Sequence, residues 1–227
     1  MNNLSLGLFV GLISASFLFF VCYVVFSNLI YKKKYEESYD FRNHFPYEYN
    51  FNQGFKENIL GNICLILSML LSMGSYGLAL GYFFNNGNLL FVVISGIIFS
   101  IAVLFANFVP LKLLRFHVIS AIISFVAAFA TPSAIALAAF ANYRETSSSF
   151  SMVILVTSIV VAVFFFGAVM NPRLTLKIQM IVEKDTNGNE KYVRPKFIVF
   201  ALSEWFVNFG IIVSDLLFLF LIISLVK

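Results

Sequence analysis

Six long apolar runs, separated by stretches that gather nearly all the charge, set the pattern of this chain. They cover about residues 4–31, 58–83, 89–108, 116–140, 150–170 and 197–226. A helix crosses a bilayer core with roughly 20 apolar residues, and every run is long enough. The pattern predicts an all-α integral membrane protein, a six-helix transmembrane bundle with short outer loops, in a single polytopic domain over residues 1–227.

One stretch breaks the helical period. Leu174, Leu176, Ile178, Met180 and Val182 alternate with Thr175, Lys177, Gln179, Ile181 and Glu183, mostly the period of two expected of a half-buried strand. Asn187-Gly188 follows as a turn signal, and Lys191 to Arg194 are placed to return as a second strand. This predicts a small cytoplasmic β-hairpin between helices 5 and 6, resting its apolar face on the bundle.

Within the runs, small and polar residues share faces. Gly7-x-x-x-Gly11 with Ser14 forms a seam where another helix can approach closely. Gly61, Ser68, Ser72, Ser75 and Ala79 line one side of the second run, and Gly96, Ser100 and Asn107 one side of the third. The fourth carries His117, Ser120, Ser124 and Thr131 on one face, with Pro132 expected to kink it.

Composition strengthens the membrane reading. The chain is 60% hydrophobic and 11% charged, against about 45–50% and 25% in ordinary soluble domains. A net charge of +4 does not point to nucleic acid, because the basic residues lie between the apolar runs. Of the 15 basic residues, all but Arg144 and Lys227 fall in or beside the loops after the first, third and fifth runs. Basic loops favour the cytoplasmic face, so a cell-membrane protein with both termini extracytoplasmic is expected. Residues 32–57 and 171–196 are the two long cytoplasmic loops, the surfaces on which other membrane subunits would dock. The aromatic residues of the first are expected to lie along the headgroups.

Chemistry concentrates in the last run. Glu204, Asn208 and Asp215 are separated by four and seven residues and project from one side of a helix. Trp205 suggests that Glu204 sits at the interface, while Asp215 falls near the midplane. No Lys or Arg lies at matching depth, and hydrocarbon favours the uncharged acid unless donors or a cation are supplied. The mid-depth hydroxyls of Ser14, Ser72, Ser100, Thr131 and Thr157 are available. Asp215, Asn208, Glu204, Ser72, Ser100 and Thr131 are therefore the candidates for a substrate or ion path.

Enzymatic readings find little support. His44 and His117 are the sole histidines, and the chain has no HExxH, no CxxC and no glycine-rich phosphate loop. Neither a catalytic residue, a metal site nor a cofactor is implied. Two readings remain: a small transporter or proton- or cation-translocating protein using an intramembrane carboxylate, or a non-catalytic membrane scaffold or accessory subunit.

Overall fold

The computed structural model describes residues 3–51, 54–83, 86–109, 113–171, 181–184 and 190–226. These residues hold seven helices: α1 (Asn3–Tyr35), α2 (Glu48–Phe51), α3 (Ile59–Phe83), α4 (Gly87–Phe108), α5 (Leu114–Thr146), α6 (Ser149–Val169) and α7 (Val199–Val226). All but α2 are long and apolar enough to cross a membrane. The chain is a multi-pass membrane protein.

The boundaries have local causes. Lys32, Lys33 and Lys34 occupy the last turn of α1, where cations complement the negative end of the helix dipole. Asn86 caps α4 by accepting the Leu89 N–H at 3.2 Å. Ser147 turns left-handed at φ 52° to end α5, leaving Ser148 as the only other residue before α6. The helix α5 runs past the expected end at residue 140 through Pro132 and Arg144 to Thr146.

The expected fold needs correction in two places. A seventh helix, α2, lies in the first long loop. The β-hairpin is not an element on which the fold is built. Its proposed first strand lies outside the described residues from Leu174 to Met180, as does the turn from Asp185 to Asn189. What is described is a ladder of four pairs, Ile181–Lys184 with Glu190–Val193. The architecture is helical because six spans bury the large apolar surface, whereas an isolated two-stranded ribbon is marginal.

Helix α7 is central, packing against α1, α4, α5 and α6, while α3 lies between α1 and α4. Two large apolar clusters fill the interior, with a smaller one of Phe45, Tyr47, Ile198 and Ala201 beside them. One gathers Phe20, Tyr23, Leu65, Val103, Trp205 and Ile211. The other gathers Phe9, Tyr76, Val92, Ile135 and Phe218. Outward faces remain apolar, with Phe91, Ile122, Val160 and Leu137 all exposed, as suits lipid as the outer solvent.

The α1 seam is also turned around from expectation. Gly7 and Gly11 have no other atoms within reach of an added methyl group. The contact with α3 runs instead through Ser16 and Ser68, whose hydroxyls each donate to the other's carbonyl at 3.0 and 2.8 Å.

Candidate functional site

Asp215 stands near the middle of α7, between the two large apolar clusters, and is 1% exposed. Ser72 of α3 donates to its Oδ1 at 3.0 Å. The Ser72 and Ser100 hydroxyls are 3.2 Å apart, and Ser100 of α4 lies 3.0 Å from the Gly96 carbonyl to which it donates. Three helices thus meet in a chain of side-chain oxygens that ends on a backbone carbonyl. The buried Tyr76 hydroxyl faces the same carboxyl from α3, and the Ser16 hydroxyl faces it from α1. No described Lys, Arg or His forms an ion pair with Asp215.

The position of Tyr76 depends on Gly96. A methyl group there would overlap the Tyr76 ring, so the missing side chain lets the ring lie flat against α4. Phe218 stacks on its other side, with centroids 4.5 Å apart and planes 15° apart. Spacing signalled this role: Tyr76 follows Ser72 by one helical turn and shares its face.

Glu204 and Asn208 form a separate layer nearer the start of α7. Eleven residues separate Glu204 from Asp215, about 16 Å along a helix, and buried Ile211 and Ile212 lie between. Asn107 Nδ2 donates to Asn208 Oδ1 at 2.8 Å, and the Tyr23 hydroxyl donates to Asn107 Oδ1 at 3.1 Å. Asn50, from the first long loop, donates to the Asn107 carbonyl at 3.0 Å. Thr131 is buried on α5, but its hydroxyl has no hydrogen-bond partner; the structure does not join it to Asp215.

Glu204 and Trp205, expected at the headgroups, are enclosed by protein, 6% and 1% exposed. The reason is the first long loop, which packs on the start of α7. Trp205 Nε1 donates to the His44 carbonyl at 3.0 Å, and the indole packs against Tyr39, Phe41 and Tyr49. Arg194 clasps Glu48 with its two terminal guanidinium nitrogens, at 2.7 and 3.1 Å, a bidentate geometry that strengthens the pair. Glu48 also accepts the Phe45 N–H at 2.9 Å. Burial, then the nearby Glu48 and Glu204 carboxylates, pushes the Tyr47 phenol up from its ordinary range, with Arg194 opposing. The Glu204 Oε1 has no hydrogen-bond partner.

At the opposite end, a crevice of about 590 Å³ is lined by Tyr82, Asn86, Asn142 and Glu145 among others. Asn142 there donates to Ser151 and Ser224 at 2.9 and 3.1 Å. Asp215 is not among its walls. Comparison with protein-family models, curated proteins and solved structures finds no match. Function has to be read from the site itself.

Proposed function

We propose that this protein is a small transporter that moves protons or small cations, with Asp215 as the exchanging group. The observation that carries the reading is the setting of that carboxyl: 1% exposed in the middle of the bundle, faced only by neutral hydroxyls, of which Ser72 donates to Oδ1, and in no ion pair with a described Lys, Arg or His. Burying a carboxyl with no charged partner is costly, and a group kept only to fix packing would do better as an amide. Asn208 and Asn107 are polar steps between Asp215 and the loop-covered end, and Glu204 is a second ionisable group on that side. The packed layer around Ile211 makes this a closed conformation, so passage needs the helices to part. In this proposal the basic loops face the cytoplasm and both termini lie outside.

Reconstitution in liposomes tests the reading. Imposed gradients of H⁺, Na⁺ or K⁺ should drive a flux that Asp215→Asn lowers on the order of a hundredfold or more, as loss of a proton-exchanging group does in catalysis. Equal flux in both proteins, in every gradient, sinks it.

The scaffold reading draws on a different observation. Gly7, Gly11, Gly77 and Gly81 have open space where a side chain would be, and glycine surfaces in membrane helices suit close contact with another helix. In that reading Asp215→Asn is tolerated, while Gly11→Leu releases a co-purifying membrane subunit.

A further inference from the structure

We infer that the species exchanged at Asp215 is a proton, and that the Ser72–Ser100 pair is the relay that lets the site accept either protonation state. The inference rests on the transport reading above and concerns the identity of the cargo alone.

The argument is one of hydrogen-bond accounting. Each serine hydroxyl has one proton to give and lone pairs to receive. With Asp215 ionised, Ser72 donates to Oδ1 across 3.0 Å, and Ser100 donates either to Ser72 Oγ or to the Gly96 carbonyl. When a proton binds Oδ1, the new O–H donates to Ser72 Oγ. The Ser72 hydroxyl then rotates to donate to Ser100 Oγ across 3.2 Å, and Ser100 donates to Gly96 O across 3.0 Å. The ionised state makes two of the three links and the protonated state all three, and every hydroxyl proton has an acceptor in both. One proton is gained at the carboxyl, and two hydroxyls turn about their C–O bonds. A chain that can reverse its direction without moving a heavy atom suits a proton-accepting site. A carboxyl fixed in one state would need only one of the two arrangements.

The same inventory fits a divalent metal ion poorly. Hard cations such as Ca²⁺ and Mg²⁺ are held mainly by carboxylates, carbonyls and water. Around Asp215 there is a single carboxyl, and the other oxygens are the neutral hydroxyls of Ser72, Ser100, Tyr76 and Ser16, the last of which donates to Ser68 O. No cluster of three or more His, Cys, Asp or Glu residues suited to a metal occurs among the described residues.

Few groups can disturb the titration. Facing Asp215 are Ser16 from α1, Ser72 and Tyr76 from α3, and Ser100 from α4. On α7 itself the other carboxyl, Glu204, is three turns away. Tyr76 is thus the only other titratable side chain at the site among the described residues, and it bears no charge unless its phenol ionises.

The test uses the full chain in liposomes with an internal pH dye and a K⁺–valinomycin potential, with N-methylglucamine or Na⁺ as the remaining cation. Proton flux that needs Asp215 and is the same in both media supports the inference. Ser72→Ala and Ser100→Ala should each lower it about tenfold, roughly the worth of one hydrogen bond, while Ser72→Thr, which keeps the hydroxyl, should restore most of it. An infrared carboxyl C=O band that titrates in the wild type and is missing in Asp215→Asn is expected, and its absence overturns the inference. Asp215-dependent Na⁺ flux with no proton movement overturns the inference but leaves the transport reading standing. Absence of any Asp215-dependent flux removes both. Unchanged flux in both alanine variants excludes the serine relay.

Discussion

Asp215 and Glu204 sit on the same face of the same helix, yet they are buried by different means. Around Asp215 the enclosure is made by neighbouring spans: α3 and α4 contribute Ser72, Tyr76, Gly96 and Ser100. Around Glu204 it is made by chain outside the spans, with Tyr39, Phe41 and Tyr49 packed on Trp205 and the Glu48–Arg194 pair beside it. The first enclosure changes only if helices move. The second opens if a loop lets go. One acid is therefore tied to the bundle's conformation and the other to a detachable cover.

That contrast can be broken most forcefully at Trp205. Trp205→Ala should cost about 3–5 kcal/mol, the usual loss for a large buried aromatic. It should open residues 39–50 to limited proteolysis while the Asp215 layer stays closed to water-soluble thiol reagents at a cysteine placed at Ser100. Labelling there at the wild-type rate keeps the two enclosures separate; parallel opening of both merges them.

Gly96→Ala probes the other enclosure. The added methyl group meets the Tyr76 ring, and overpacking of this kind costs about 1–3 kcal/mol. Thermal unfolding in detergent should register that loss, with the proteolysis pattern of the loop unchanged.

A smaller effect is expected for Arg194→Gln. Glu48 then keeps the Phe45 N–H but loses its bidentate partner, at about 1 kcal/mol, near the low end for a stranded acceptor because the pair is partly exposed. Faster amide hydrogen exchange at residues 45–50, with α3 and α4 unaffected, is the readout.

The smallest effect belongs to Asp40, whose carboxyl is held below its ordinary range by the Arg42 side chain that bonds it. A depressed carboxylate contributes stability above its ordinary value and loses it as pH falls through the lowered one. Acidification into that window should therefore loosen the loop slightly before it affects the spans, and Asp40→Asn should remove that pH dependence.

Much of the bundle was legible in the pattern of apolar runs, because lipid rewards long continuous helices and each run carries its own signal. The meeting of Ser72, Ser100 and Asp215 was only half legible. Each faced inward by its spacing, but nothing in the chain says that three helices bring those oxygens to one level, or that Thr131 stays apart. Tyr76 was visible as a neighbour of Ser72 and invisible as a partner of Gly96, since that fit needs two helices pressed together.

The loop misled for a related reason. Aromatic residues interleaved with charge read equally as a headgroup belt or as a folded plug, and composition cannot distinguish the two. By itself the sequence determined that six helices lie in a membrane and that two acids are carried on one face of the last. Hydrophobic length and helical period are local properties, set residue by residue along the chain. Only tertiary structure decided that Glu204 is roofed by a loop and that Asp215 ends a chain of two hydroxyls. Those facts depend on side chains far apart in sequence meeting within a hydrogen bond's length.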